Sequence, residues 1–161
     1  MSGIDLSFVS GKEKFNYRVC AVILSEGKLL AMHDERSPYY YLPGGRVQMG
    51  ETAEAAVVRE VQEELEITPE IICPLWLNQA FFTEDVDGLH YHELCLYFLM
   101  DISHTDLLSK GEKFTLLERH HTHKFEWLPF ERLEREYFYP LFLKKEIFHL
   151  PEALTLRTEL E

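Results

Sequence analysis

The sequence lacks any long apolar run. No stretch of about eighteen consecutive apolar residues occurs, which is the length that a membrane-spanning helix needs. The first residues also lack the basic start and the following apolar stretch of a secretory signal. We therefore expect a cytoplasmic protein that has no membrane partner.

Cysteine is scarce. The chain has three cysteines, Cys20, Cys73 and Cys95, and each lies in an apolar run with strand character. An odd number without a secretory signal favours free thiols over a disulfide framework. We expect these thiols to be buried and the compartment to be reducing.

Basic residues are few compared with acidic ones. The chain has 16 Lys and Arg against 28 Asp and Glu, which gives a formal net charge of -12. This balance argues against nucleic acid or an anionic membrane as the main partner. It does not exclude a phosphate substrate, because bound divalent cations invert the local charge.

Length and hydrophobic patterning predict one domain over 1–161 with an α/β fold. A chain of 161 residues, 46% of them apolar, is long enough for a full core. Strands are predicted over 15–24, 29–33, 39–42, 70–82, 90–100 and 120–127, and Pro74 interrupts the fourth of them. Helices are predicted over 52–65, over 129–136 and over 139–149.

The remaining segments are polar. Residues 1–13 are expected to form a loose lead-in, residues 101–113 a loop, and residues 151–161 an acidic tail that frays. Strands, one long helix, more strands and terminal helices predict a mixed β-sheet covered by helices on both faces.

The long helix carries three carboxylates on one face. Glu60, Glu63 and Glu64 are spaced i, i+3 and i+4. Because like charges on adjacent turns repel, the pattern favours a compensating cation. Oxygen-only ligands suit Mg²⁺ or Mn²⁺ better than zinc. Taken alone, the three carboxylates fit a solvated acidic surface equally well.

The wider spacing resembles the Nudix box, G-x5-E-x7-R-E-U-x-E-E-x-G-U, where U is apolar. The stretch runs from Gly45 to Ile67. The matching positions are Gly45, Glu51, Arg59, Glu60, Glu63 and Glu64. The one departure is Glu66, where the family usually has Gly, and it leaves the end of the helix uncertain.

The resemblance implies a Nudix-like α/β/α sandwich and assigns roles to residues. Glu60, Glu63 and Glu64 would be metal ligands, joined by the carbonyl of Gly44. Arg59 and Glu51 would support the ligands, with Arg59 pairing with an acidic neighbour and fixing its side-chain conformation.

The general base differs between members of the family. Glu60 and Glu63 are candidates here, and an acid outside the box is an equal one: Glu118, just before the last predicted strand, or Glu93 in the strand before it. Each of these two also fits an ordinary solvent-facing position.

The implied reaction is Mg²⁺-dependent hydrolysis of a diphosphate bond in a nucleoside diphosphate linked to another moiety. ADP-ribose, a nucleotide sugar or a nucleoside triphosphate would be such a substrate, and Mn²⁺ would substitute for Mg²⁺. Family habit also suggests a homodimer. The downstream markers for ADP-ribose, dinucleoside polyphosphates and NADH are all missing, so the sequence leaves the substrate unassigned.

Other interpretations remain open. A Nudix-fold module could bind a nucleotide without turnover, although it would have no need of the intact carboxylates. An isoprenoid diphosphate isomerase and a plain acidic structural domain fit less well. Zinc at His121 and His123 lacks further ligands in the sequence. Aromatic residues of the strands could stack on a base but more often belong to a core: Trp76, Phe81, Phe82, Tyr91 and Tyr97.

Overall fold

The structure is a computed structural model that describes residues 3–160. Its strands are β1 (Ser7–Ser10), β2 (Glu13–Ser25), β3 (Lys28–Asp34), β4 (Gly44–Arg46), β5 (Glu70–Thr83), β6 (His90–Asp101), β7 (Lys113–Glu118), β8 (His121–Pro129) and β9 (Thr155–Leu160). Its helices are α1 (Ala53–Leu65), α2 (Phe130–Leu133) and α3 (Leu143–Glu146), with a 3₁₀ turn at Leu107–Lys110. None of these helices is long and apolar enough to cross a membrane.

The strands form one mixed sheet in the order β7-β8-β3-β2-β6-β5-β9, and β1 and β4 pair with β2 beside this path. Two neighbouring pairs, β2 with β6 and β5 with β9, are parallel, and the others are antiparallel. The α/β class and the mixed sheet predicted from the sequence are confirmed.

The sheet has a core on each face. One core lies under α1, where Val57, Val61 and Leu65 pack on strand residues such as Val19 and Ala21. The other lies under the C-terminal segment and includes Cys20, Trp76, Tyr97, Phe138 and Phe142. Burial of apolar surface on both sides fixes the sheet between two layers, as the predicted sandwich requires.

The C-terminal helices are shorter than predicted. Only Phe130–Leu133 and Leu143–Glu146 are α-helical, instead of 129–136 and 139–149. Pro140 follows a cis peptide bond, and the chain around it is anchored through buried Phe138, Phe142 and Leu143 rather than by a continuous helix.

Three strands were missed. The lead-in forms β1 at Ser7–Ser10, paired with β2, and the tail forms β9, paired with β5. Residues 113–118, between the predicted loop and the last predicted strand, form β7. All three lack a buried stretch of their own, since most of their side chains are exposed. Residues 1, 2 and 161 of the predicted lead-in and tail lie outside the described residues.

The short strand predicted over 39–42 is wrong. Tyr40 and Tyr41 make only isolated bridges, to Phe138 and Met32. The strand that pairs with β2 lies just beyond, at Gly44–Arg46, because glycine allows the backbone to approach β2 closely.

Two of the three cysteines are fully inside. Cys20 and Cys95 are buried on β2 and β6, and their Sγ atoms lie 3.6 Å apart. Cys73 is partly exposed, so the expected burial is wrong for this residue.

Candidate functional site

Helix α1 begins and ends at well-defined residues. The hydroxyl of Thr52 accepts a hydrogen bond from the N–H of Ala55 at 3.0 Å, which caps the N-terminus. The helix ends at Leu65. Glu66 follows in the left-handed conformation, with φ 58° and ψ 34°, and its N–H donates to the carbonyl of Gln62. Glu66 thus adopts the conformation for which glycine is best suited.

Two glycines bring β4 against the acidic face of α1. A Cβ atom at Gly44 would overlap the backbone of Val19 and Cys20. A Cβ atom at Gly45 would overlap the carboxylate of Glu60. The N–H of Gly44 donates to Oε1 of Glu64 at 2.9 Å. The glycine pair therefore allows the backbone to contact the carboxylates directly.

Arg59 links the carboxylates to the strand. Its Nε and Nη2 donate to the two carboxylate oxygens of Glu51 at 2.7 and 3.0 Å, and Nη2 also donates to the carbonyl of Arg46 at 3.0 Å. Its Nη1 donates to Oε1 of Glu60 at 2.9 Å and lies 3.4 Å from Oε1 of Glu63. A planar guanidinium is suited to such paired contacts.

A cleft of about 430 Å³ opens above these groups. It is lined by Gly3, Asp5, Arg36, Tyr41, Arg46, Gln48, Arg59, Glu60, Glu63, Glu64, Glu118, Arg119, His121 and His123. Five carboxylates and four arginines therefore share one cavity. This arrangement suits an anionic ligand bound together with a cation.

Burial strongly affects two of the carboxylates. Burial raises the pKa of Glu60 to about 7, against the opposing effect of Arg59 and with the help of Glu63 and Glu118. Burial also raises the pKa of Glu64 well above its usual range, and the nearby charge of Glu60 adds to this shift. Buried acids that are costly to ionise alone are expected beside a cation.

Glu51 behaves in the opposite way. The hydrogen bonds from Arg59 hold the pKa of Glu51 below its usual value. The N–H of Gln48 also donates to Glu51 Oε1 at 3.0 Å. Glu51 is therefore an ionised anchor that fixes the position of Arg59.

Glu118 is the last residue of β7 rather than a loop residue. Its Oε1 lies 3.2 Å from Nε2 of His123, on the neighbouring strand β8. His123 is 5% exposed, and its Nδ1 lies 3.9 Å from Oδ2 of Asp34 without a hydrogen-bond partner in the described part of the chain. These contacts bring Glu118 to the cleft that holds Glu60.

Arg36 and Tyr41 line one wall of the cleft and both donate to Asp34, and none of these three residues was predicted from the sequence. Arg36 donates to Asp34 through its side chain at 2.7 Å and through its N–H at 2.8 Å, and the hydroxyl of Tyr41 donates to Asp34 at 3.2 Å. Although burial opposes it, the hydrogen bonds from Arg36 hold the pKa of Asp34 below its usual value. The Asp-x-Arg spacing at the end of an apolar strand was the available signal.

Glu93 lies away from the cleft. Glu93, Cys95 and Tyr97 are every second residue of β6, so they lie on the same face of the sheet. Cys95 and Tyr97 belong to the core on the face opposite α1. Asn16 donates to Glu93 at 3.3 Å, and Arg18 lies 4.0 Å away. The cleft lining does not include Glu93. Of the two candidate acids outside the box, only Glu118 reaches the box carboxylates.

The aromatic side chains divide into two groups. Trp76 and Tyr97 are buried in the core and are therefore unable to stack on a ligand at the surface. Phe82 and Tyr91 stack on each other with ring centroids 5.0 Å apart, and with Phe81 they line a second cavity of about 390 Å³ at the far end of β5 and β6. None of the five lines the acidic cleft.

The donor set fits a hard divalent cation. Carboxylates and a backbone next to Gly44 and Gly45 supply oxygen ligands of the kind that Mg²⁺ and Mn²⁺ prefer. In the described structure Arg59 Nη1 lies between Glu60 and Glu63. A tighter group of three ligand atoms, all within 4.8 Å, exists elsewhere at Glu70, Asp101 and His104, but its two acids are not buried.

The fold and this carboxylate cleft define a Nudix domain. The family model named NUDIX domain matches residues 14–147. Since this match covers most of the chain, the protein belongs to the Nudix family, and the resemblance found in the sequence is confirmed.

Two curated proteins match shorter stretches. An ADP-ribose pyrophosphatase of Methanocaldococcus jannaschii is 32% identical over 87 residues, which are 52% of this chain and 49% of that protein. An 8-oxo-dGTP diphosphatase of Escherichia coli is 68% identical over 28 residues, which are 17% of this chain and 22% of that protein. The chain thus spans about half or less of the length of these relatives.

Solved structures show the same fold. A mutator MutT protein of Bacillus halodurans has a TM-score of 0.58 and 16% identity, covering 89% of this chain and 90% of that one. An ADP-ribose pyrophosphatase of Streptococcus suis has a TM-score of 0.53 and 17% identity, covering 89% and 98%. At these identities the likeness establishes the fold alone.

Proposed function

We propose that the protein is a Mg²⁺-dependent hydrolase that cleaves a diphosphate bond in a nucleoside diphosphate linked to another moiety. The observation that carries this proposal is the cleft in which Glu60, Glu63 and Glu64 face a rim of arginines. An acidic floor suits a cation, and a basic rim suits the phosphates that the cation accompanies.

Glu60, Glu63 and Glu64 would hold the cation, together with the backbone at Gly44. When bound, Mg²⁺ neutralises charge on the diphosphate and lowers the pKa of a coordinated water. Arg59 keeps the carboxylates in place through Glu51 and the carbonyl of Arg46. Holding the acids before substrate arrives lowers the reorganisation that the reaction needs.

The rim residues would orient the diphosphate. Arg36 is held rigidly by its contacts with Asp34 and points into the cleft with half of its side chain exposed. Arg46 and Arg119 line the same cavity. Guanidinium groups bind phosphate oxygens in pairs, so these residues are suited to hold the substrate for attack by water.

Glu118 is the residue we propose as general base. Its support is its position in the cleft, where His123 fixes one carboxylate oxygen at 3.2 Å. We expect Glu118→Gln to lower kcat about 100-fold or more, because the water would lose its proton acceptor. Glu93→Gln is the matched control on the opposite face and should leave kcat unchanged. Equal losses in the two variants, or none in Glu118→Gln, would return the role to Glu60 or Glu63.

The nucleotide part of the substrate is a further part of the proposal. The two curated relatives carry the names ADP-ribose pyrophosphatase and 8-oxo-dGTP diphosphatase, and both names describe a nucleotide with a diphosphate bond. These names support a substrate class and leave ADP-ribose, nucleotide sugars and nucleoside triphosphates as candidates.

The test is release of phosphate, pyrophosphate or nucleoside monophosphate from a substrate panel. The panel contains nucleoside triphosphates, ADP-ribose, nucleotide sugars, dinucleoside polyphosphates and NADH, each with Mg²⁺ and with a chelator. We expect Mg²⁺-dependent turnover of one class. Absence of turnover across the panel, with tight nucleotide binding, would instead favour a binding module.

A further inference from the structure

Strand β9 forms one end of the sheet. It pairs in parallel with β5 from Trp76↔Thr155 to Phe81↔Leu160. Among residues 3–160, no strand pairs with its other edge. An open edge offers unpaired N–H and C=O groups to any strand that approaches it.

Three common protections of an open edge are missing from β9, whose only charged side chains are Arg157 and Glu159. Its sequence, TLRTEL, contains neither proline nor lysine, and its ladder with β5 has no bulge. Leu156 and Leu160 lie on one face of the strand and are 64% and 77% exposed. Exposed leucines beside an open edge indicate that another surface covers them.

The strand is complementary to itself in one antiparallel register. A two-fold axis through Thr158 places Thr158 opposite Thr158 of a second copy. The same register pairs Leu156 with Leu160 and Arg157 with Glu159, so apolar meets apolar and positive meets negative.

Neighbouring registers lack this match. Moving the axis to residue 157 or 159 brings two arginines or two glutamates face to face. If the axis lies between two residues, each even-numbered position faces an odd-numbered one. The leucine face of one copy then meets the polar face of the other. The axis through Thr158 is therefore the register that the sequence favours.

Arg157 retains an unused donor. Its Nη1 pairs with Oε1 of Glu146 at 3.0 Å, and its side chain lies over the ring of Phe142, which fixes its direction. Its Nε is buried and has no hydrogen-bond partner within the described chain. Because this nitrogen is enclosed, a pair with Glu159 of a second copy would use the part of the Arg157 side chain that is exposed, which is 27% of it. Glu159 Oε1 already accepts a hydrogen bond from the side-chain amide of Asn78 at 2.6 Å.

We propose that β9 pairs antiparallel with β9 of a second copy of this chain, through a two-fold axis at Thr158, and joins the two sheets into one. The partner strand is that of a second copy, because in this register the leucines pair with leucines and the arginine pairs with the glutamate. A strand pair of this size is a small interface, so the dimer dissociates on dilution.

The first experiment uses a cysteine at the axis. In Thr158→Cys the new thiols of two copies face each other, and mild oxidation should give a disulfide-linked dimer that reductant dissolves. Thr155→Cys, on the same strand but away from the axis, and the wild type with its three native cysteines are the controls. Equal cross-linking in all three proteins, or none in Thr158→Cys, overturns the proposed register.

The second experiment measures mass by light scattering or sedimentation over a range of protein concentrations. The wild type should shift from monomer to dimer as concentration rises. Leu160→Lys should remain monomeric, whereas Leu117→Lys, on the exposed face of the opposite edge strand β7, should dimerise normally. A monomeric wild type, or a dimer that Leu117→Lys disrupts and Leu160→Lys does not, contradicts the proposal. Unchanged thermal unfolding of both variants excludes misfolding as the cause.

Discussion

Gly45 lies directly against the carboxylate of Glu60. A Cβ atom at position 45 would overlap Cδ and both oxygens of that carboxylate, which form the flexible end of a side chain. At the preceding position, a Cβ atom would instead overlap the fixed backbone of β2 at Val19 and Cys20. The two adjacent glycines therefore have different roles. Gly45 makes room for the Glu60 carboxylate, and Gly44 allows the close backbone contact with β2.

This difference predicts different outcomes for alanine at the two positions. Gly45→Ala should displace the Glu60 carboxylate, weaken Mn²⁺ binding about tenfold or more and leave the unfolding temperature almost unchanged. Gly44→Ala should lower the free energy of unfolding by about 2 kcal/mol, because the backbone of β2 has to move. Calorimetry of both variants, with and without Mn²⁺, separates the effects. Equal destabilisation by the two substitutions would contradict the assignment.

The pairing of Arg59 with Glu51 predicts that lysine cannot replace this arginine. Arg59→Lys keeps the charge but loses the paired contacts with Glu51 and the bond to the carbonyl of Arg46. We expect a loss of about 1–2 kcal/mol of stability and of about 10–100-fold in turnover. Chemical denaturation and steady-state kinetics measure the two losses. Arg135→Lys, at an exposed arginine, is the control, and a similar effect there would count against a special role for Arg59.

The raised pKa of Glu60 predicts how stability changes with pH. An acid whose pKa rises from 4.5 in the unfolded chain to about 7 in the fold stabilises the fold fully below 4.5. That stabilisation is lost as pH rises toward 7. Glu60→Gln removes the titration, so its stability relative to wild type should increase over this range by on the order of 2 kcal/mol, allowing for partial solvent access.

Denaturant titrations at a series of pH values, with a chelator present, test this expectation. Glu54→Gln, at an exposed acid in the first turn of the same helix, should run parallel to wild type. Added Mg²⁺ should reverse the trend, because a cation binds the ionised carboxylates and releases their protons. A constant difference between Glu60→Gln and wild type would mean that Glu60 ionises normally in the fold.

The left-handed conformation of Glu66 predicts a stabilising substitution. This conformation costs about 1 kcal/mol for a residue with a Cβ atom, and glycine adopts it without that cost. After the greater freedom of glycine in the unfolded chain is counted, Glu66→Gly should raise the free energy of unfolding by about 0.5–1 kcal/mol. Glu66→Ala removes the carboxylate but keeps the strain, so it should give no gain. Thermal unfolding distinguishes the two, and a loss of stability in Glu66→Gly would mean that the carboxylate itself is needed.

Much of the fold was predictable because periodic burial marks it in the sequence. Helix α1 and the long strands β2, β5 and β6 each bury apolar side chains in the core, so the pattern follows the structure. Strands β1 and β9 are held mainly by pairing with β2 and β5, and most of their side chains are exposed. A pattern based on burial therefore does not distinguish them from loops, although the alternation of Leu154, Leu156 and Leu160 was a usable signal.

The site was predictable where one element supplies it. Glu60, Glu63 and Glu64 share a helix, so their spacing alone places them together. Arg36 and His123 reach the same cleft from the end of β3 and from β8, and no fixed spacing connects them to the helix. The sequence did not distinguish Glu118 from Glu93 as the general base. That distinction depends on which of the two side chains lies on the face of the sheet that α1 covers.

In the proposed site, the α1 carboxylates hold the cation on which turnover depends. The direct measurement is Mn²⁺ binding by calorimetry together with Mg²⁺-dependent turnover in wild type, Glu63→Gln and Glu54→Gln. Glu63 is partly exposed and off the core face, so its variant should fold normally, bind Mn²⁺ more weakly and lose about 100-fold or more in turnover, while Glu54→Gln matches wild type. Normal metal binding and turnover in Glu63→Gln would mean that Glu63 does not hold the cation.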